Sequence, residues 1–404
     1  MLSFMCLPTA ALSPVTTAPS WQTLTAASTI DALERTVTGQ KPLSLLDDMY
    51  DESSGLCSEG VWHNSWLGVS RVLAARALRS SDSERADAQL ASARVLGDSL
   101  YALSFDGTGF RMRTSSNAWQ SAEEAAESLK AAGESIAFYE PSDERRCISS
   151  AAAVIFYSLL AEEDGAEASD AMARLVEVGD AFTAEFFDTK VCRFRRDASS
   201  DYWRAVDQAL GCLACLRLAK TGHKAASSRA MATCAADSLL REFGYSLYAT
   251  EAIPPGTYLG RVASRNSWHD SIACLALLMS GVLGVGGESP TGLVRAMADS
   301  YRSPEAGHMM HTPRELTPGE GSDVAFSSTQ ALWSAVVRAA ELQSSRAEAA
   351  GGVDGPALRA WHAVHVDAES GLLPVANVYP DARLWANTEW AAWSLLDKEL
   401  FDLR

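Results

Sequence analysis

The side chains of this chain that can move protons stand at the starts of segments that then turn apolar. Asp207 lies in YWRAVDQALGCLAC, Asp270 in SWHDSIACLALLMSGVLG and Glu389 in LWANTEWAAWSLL. A carboxyl at such a place can have its pKa raised by burial and donate a proton, while a second carboxylate serves as base or nucleophile. His63 and His269 each follow a tryptophan, Trp62 and Trp268, and two imidazoles facing one another can shuttle protons at carbon. Around them stand Asn64 and Trp66, Trp203 and Gln208, Gln330, and Trp385, Asn387 and Trp390. Arg261 and Arg265 precede Trp268 and can hold a carboxylate or phosphate through forked hydrogen bonds. Each residue type also has an ordinary use. An aspartate near a helix start caps it, and a tryptophan fills gaps between helices.

These residues need elements that gather them. Six segments share one outline, polar or aromatic at the start and then small and apolar. They begin at Val61, Arg146, Tyr202, Ser267, Ala325 and Leu384. From Trp62 through Ile148, Trp203, Trp268 and Phe326 to Trp385 the intervals are 86, 55, 65, 58 and 59 residues, the length of a helical hairpin with its loop. Amphipathic segments from Glu84, Ala168 and Ser227 alternate with them and read as outer helices. Turns of related shape follow, YDESSGL at Tyr50, FDGTGF at Phe105, FDTKVCRF at Phe187 and VDAESGLL at Val366, in which Asp starts the turn and Gly often supplies the positive φ. The spacing therefore predicts an all-α chain of twelve helices in two concentric rings, with short ribbons in the outer-to-inner turns. In such a ring the starts of the inner helices converge on one concave face. Eight of the eleven tryptophans fall in the inner segments, and indole faces beside carboxylates, amides and imidazoles suit the two sides of a sugar ring.

On this outline the chain resembles the six-hairpin glycosidase-like superfamily of (α/α)6 toroids. MYDESSGLCSEGVWHNSWLG is similar to the turn and tryptophan-rich helix start of α-mannanase-like and N-acylglucosamine 2-epimerase-like members, and LWANTEWAAWSLL to the closing hairpin of the epimerase-like branch. The resemblance spans roughly residues 40 to 400 and implies a glycoside hydrolase or a sugar epimerase or isomerase, without cofactor or metal. The α-mannanase-like families carry an adjacent aspartate pair in an inner-helix loop. The only such pair here, Asp47 and Asp48, lies ahead of the first turn.

Composition narrows the rest. The formal charge of -17, with no long basic run, argues against nucleic acid and anionic membrane as partners and leaves a small molecule, most naturally a sugar. No stretch is apolar enough to span a bilayer, so we expect a soluble protein of the cytoplasm or an organelle lumen. Residues 1–27, uncharged and rich in Ser, Thr and Ala, are expected to be a leader or a disordered segment, and residues 28–404 a single toroid domain. The eight cysteines read as reduced core thiols. Asp47, Asp48 and Asp51 also spell DDxxD, a magnesium-diphosphate pattern of all-helical terpene synthases, yet Asp51 already belongs to the recurring turn. His308 and His311 form HxxH in a long loop, without carboxylates at metal-ligand spacing. A lyase, isomerase or cyclase acting on an isoprenoid or other non-sugar substrate, and a scaffold without chemistry, are the competing readings.

Overall fold

The computed structural model describes residues 21–39, 60–111, 144–164, 170–197, 204–241, 266–282, 290–304, 307–311, 324–343, 354–377, 379–382 and 384–396. Within them the inner helices are α2 (Val61–Leu78), α4 (Cys147–Asp164), α6 (Ala205–Lys220), α8 (Ser267–Ser280), α10 (Ser327–Gln343) and α12 (Leu384–Leu395). They carry almost no polar stripe because neighbours cover them on every side. On α6 each residue from Ala205 to Ala219 is buried. The outer helices are α1 (Trp21–Gly39), α3 (Ser83–Ser104), α5 (Asp170–Phe186), α7 (Ala225–Arg241), α9 (Pro290–Tyr301) and α11 (Asp354–His365). Helix α5 is typical, burying Ala171, Leu175, Val178, Phe182 and Phe186 along one stripe.

The inner helices pack in chain order, α2 on α4, α4 on α6, α6 on α8, α8 on α10 and α10 on α12, and α12 returns to α2 to close the ring. Helices α3, α5, α7 and α11 back α2, α4, α6 and α10, while α9 lies against both α8 and α10. Helix α1 lies against both α12 and α2, so it covers the seam between the chain's last and first staves. It begins at Trp21, inside the stretch assigned from sequence to the N-terminal segment. Two glycines let the inner helices take close neighbours, one a second stave and one a ribbon. A Cβ on Gly68 of α2 would stand 2.3 Å from the Phe156 ring of α4, and one on Gly211 of α6 would stand 2.4 Å from the Phe194 ring.

The turns at Phe105, Phe187 and Val366 are built as their sequences require. Asp106, Asp188 and Asp367 each accept a backbone N–H two or three residues on, from Thr108, Lys190 and Ser370, and Gly107 and Gly371 take φ of 86° and 76°. The turn at Tyr50 lies outside the described residues, as do Asp47, Asp48 and Asp51. Two antiparallel ribbons fill the outer-to-inner connections, β1 (Phe187–Asp188) with β2 (Arg193–Phe194) and β3 (Pro374–Ala376) with β4 (Tyr379–Ala382).

One expectation is corrected. Cys147, Cys212, Cys215 and Cys274 are buried and free, but Cys192 and Cys234 are joined by a disulfide. The reading of all eight as core thiols assumed helical surroundings. Cys192 instead sits in the β1–β2 turn at a φ of 62°, facing α7, and the bond ties the ribbon to the outer ring.

Candidate functional site

The first turns of the inner helices meet at one end of the ring. Helices α2 and α8 are opposite staves, yet their tryptophans meet, with the Trp62 and Trp268 ring centroids 5.8 Å apart and tilted by 64°. Glu389 of α12 joins them. Its Oε1 accepts the Trp62 indole N–H at 2.8 Å and its Oε2 the Trp268 indole N–H at 3.0 Å. Burial pushes this carboxyl up to about 7, against the two indole N–H groups, which favour its charged form. Glu389 is thus an acid that changes charge near neutrality at the centre of the ring.

His269 follows Trp268 on the same turn. Its backbone N–H donates to the N-cap side chain of Asn266 at 2.8 Å, and its Nδ1 lies 3.0 Å from the Asn266 amide nitrogen. Burial lowers its pKa to about 3, with the Arg204 charge and His311 adding to the effect, so the imidazole is neutral at physiological pH. His63 is half-buried at the start of α2. A Cβ on Gly60 would lie 3.1 Å from its Nδ1.

The two aspartates are tied by side chains that the sequence reading did not select. Arg204, the N-cap residue of α6, grips Asp207 with Nε at 2.6 Å and Nη2 at 2.7 Å. Asp207 is fully buried, which raises its pKa, while Arg204 opposes that rise. Asp270, equally buried, accepts the hydroxyl of Tyr301 at the end of α9. Neither aspartate is the cap of its helix, since α6 has no side-chain cap bond and α8 is capped by Asn266.

Three amides expected to meet substrate are turned to the backbone instead. Gln208 accepts the Phe194 N–H at 2.9 Å and donates to the Phe194 carbonyl at 2.6 Å. Gln330 makes the same pair with Met309, both at 2.9 Å, and Asn387 with Leu373, both at 2.9 Å. Each first-turn amide clamps the strand or loop that leads into its own inner helix, so both of its ends are occupied. Asn64 donates to the Gly60 carbonyl at 3.1 Å. Trp66 and Trp390 are buried, Trp66 packing against Trp393 at 4.3 Å and against Trp62 at 5.4 Å. Trp203, Arg261 and Arg265 lie outside the described residues, as does the side chain of Trp385 on α12. Elsewhere, a cavity of about 310 Å³ between α10 and α11, walled by Trp333, Trp361 and His365, has none of the carboxyl groups above on its lining.

The sequence reading brought Trp62, Trp268, His269, Asp207, Asp270 and Glu389 to one end of the ring. It noted Arg204 at the mouth of the same segment without selecting it as a site residue, and it gave His311 only a place in a long loop that could cover the pocket. The signal for Arg204 was its i,i+3 spacing to Asp207 on a helix start. Among the described residues no group of three His, Cys, Asp or Glu side chains is arranged to hold a metal ion.

The closed double ring is shared with known structures. It is similar to that of a D-mannose isomerase, with a TM-score of 0.62 at 11% identity over 95% of this chain and 98% of that one. The cellobiose 2-epimerase from Spirochaeta thermophila DSM 6192 gives 0.62 at 14% identity over 93% and 95%. The chain folds as an (α/α)6 toroid. The toroid is also similar to an inactive variant of an α-1,6-mannanase of Salegentibacter sp. HEL1_6, changed at two adjacent aspartates and bound to α-1,6-mannotriose, with a TM-score of 0.53 at 8% identity over 94% and 99%. No family model matches the chain, and no curated protein sequence matches it. No helix among the described residues is long and apolar enough to cross a membrane.

Proposed function

We propose that this toroid is a carbohydrate-active enzyme that moves a proton at a carbon beside the carbonyl of an open-chain sugar, as an epimerase or isomerase. The observation that carries this reading is Glu389, a carboxyl titrating at about 7 and set against two indoles. A general base works best when its pKa lies near the working pH. In its ionised form Glu389 takes the proton from C2. The C–H electrons form a C1=C2 double bond and the carbonyl oxygen gains the charge. If the C2 hydroxyl proton then passes to the oxygen on C1, the O2 electrons form the C2 carbonyl as a proton returns to C1, which gives the ketose. Return of the proton to the other face of C2, with the C1 carbonyl re-formed, gives the epimer. In this reading His269, neutral and fixed by Asn266, serves as a hydrogen-bonding partner for the sugar oxygens, and His63 as a second proton carrier. Trp62 and Trp268 give apolar surface to the sugar ring. The likeness to a mannose isomerase and a cellobiose epimerase supports the class of reaction, although a shared ring hosts many chemistries.

Hydrolysis is the second reading, favoured by the likeness to the mannanase. It needs two carboxyls across a glycosidic bond. Asp207 and Asp270 are each enclosed and engaged by Arg204 and Tyr301, which favours proton transfer at carbon instead. The deciding experiment incubates the protein with D-mannose, D-glucose and cellobiose in D2O and reads the C1 and C2 protons by NMR. Deuterium at C2 with formation of an epimer or ketose is the expected result. Cleavage of cellobiose without deuterium at carbon would establish hydrolysis, and inertness toward all three would remove the sugar reading.

A further inference from the structure

We propose that Trp62 and Trp268, besides offering ring faces to the sugar, are positioning residues whose indole N–H groups hold the Glu389 carboxylate in one orientation and leave its captured proton free to return to carbon. The proposal rests on the reading of Glu389 as the base. The Trp62 N–H meets Oε1 at 2.8 Å and the Trp268 N–H meets Oε2 at 3.0 Å, so each oxygen has its own donor. The donors come from opposite staves, and their rings brace one another at 5.8 Å. Each ring has a further aromatic support, Trp66 at 5.4 Å from Trp62 and the His269 ring at 5.5 Å from Trp268. A carboxylate held at both oxygens by two braced rings cannot turn about its last bond without breaking both hydrogen bonds.

These bonds serve the acid rather than the indoles. The buried indole N–H groups of Trp66, Trp390 and Trp393 find no acceptor among the described residues, so packing a tryptophan in this core does not require one. A carboxylate taken out of water does require donors. An indole N–H only donates, so it favours the ionised carboxylate and has no lone pair for the O–H that forms when Glu389 takes a proton. The Ser328 hydroxyl of α10 acts in the same direction as the indoles. Of the titratable groups on the helices around α12, His63 and the neutral His269 share its end of the ring. The others are engaged elsewhere, Arg76 of α2 by Glu162 and Glu163, Arg338 of α10 by the Trp393 and Leu396 carbonyls, and Asp31 of α1 by Arg85.

Trp62→Phe and Trp268→Phe each keep a ring and remove one donor. The Glu389 carboxyl is followed by 13C NMR, its signal identified by its loss in Glu389→Gln. Each Phe variant should raise the titration midpoint by about one to two pH units, the worth of one hydrogen bond to a charged group. In the deuterium-exchange assay with D-mannose and cellobiose, the acid limb of kcat/KM should rise by the same amount. A role in packing or as a sugar platform alone would change Tm or KM and leave both midpoints where they are. Unmoved carboxyl midpoints in both variants overturn the proposal, and so does a midpoint that moves while the limb of the active enzyme stays. Where a Phe variant does not fold, the wild type decides. Two of its indole 1H–15N signals should titrate with the Glu389 midpoint and cease to do so in Glu389→Gln, and indole signals indifferent to pH overturn the proposal. A wild type that exchanges no sugar defeats the functional reading alone, and the indole clamp is then judged on the carboxyl midpoint.

Discussion

Glu389 has a pH signature that can be measured without knowing the substrate. Its pKa rises from an ordinary 4.5 to about 7, chiefly through burial. Between these values the unfolded chain is ionised there and the folded chain is protonated, so folding takes up a proton and stability falls as pH rises through the window. The full effect is about 3 kcal/mol, complete above pH 7. Glu389→Gln removes this titration. Urea unfolding of the two proteins from pH 4 to pH 8 should therefore show the wild type losing about 3 kcal/mol relative to the variant, with the loss confined to pH 4.5–7. A constant difference across that range would mean that Glu389 titrates normally. The same variant should lower kcat by about two orders of magnitude or more if the group is the base. Sequence reasoning placed Glu389 behind Asp207 and Asp270 because it sees distance from a helix start but not partners. The indole of Trp62 lies 327 positions away and Tyr301 lies 31 positions beyond Asp270. Which acid is tied and which is poised is decided by those contacts.

At the scale of the element, the recurring device is the first-turn amide that grips the backbone of the preceding connection. Gln208 reaches Phe194 across 14 residues, Gln330 reaches Met309 across 21, and Asn387 reaches Leu373 across 14. Each ties a ribbon or loop to the inner helix it precedes and so sets where the helix starts. The polar helix starts were legible in the sequence because nothing else explains an amide at the head of an apolar segment. Their direction was not, since a glutamine facing a ligand and one facing a strand are spelled alike. The difference can be measured. Gln208→Leu fills the same volume but leaves the buried Phe194 N–H and carbonyl unpaired, at a cost of about 2–4 kcal/mol. Gln208→Glu keeps the acceptor for the N–H and turns a carboxyl toward the carbonyl, so it should be less destabilising at pH 5 than at pH 8. Chemical denaturation at both pH values checks this, and a neutral Gln208→Leu would return the amide to the list of substrate contacts.

For the whole molecule, the closure of the ring is what brings the site together, because Trp62 and Glu389 come from staves at opposite ends of the chain. The six-part outline was readable in the sequence, since each inner stave is apolar throughout and recurs at hairpin length. The seam was not readable, since closure is a contact between α2 and α12, and no local pattern records it. The covering helix α1 was equally hidden. Its first half, WQTLTAASTI, has no charge to mark a water face, so it reads like the uncharged segment before it. In the structure Ile30 of α1 is fully buried in a cluster with Ala26, with Ala74 of α2 and with Ala391 of α12. If α1 seals the seam, Ile30→Ala should cost about 2–4 kcal/mol, as for a truncation in any well-packed core. The damage should also reach the active end, because a loosened seam lets Trp62 and Glu389 separate. Tryptophan emission and denaturant unfolding should then change together in one transition for Ile30→Ala. An α1 that is only an appendage would instead melt alone, leaving the emission of the ring and the main transition untouched.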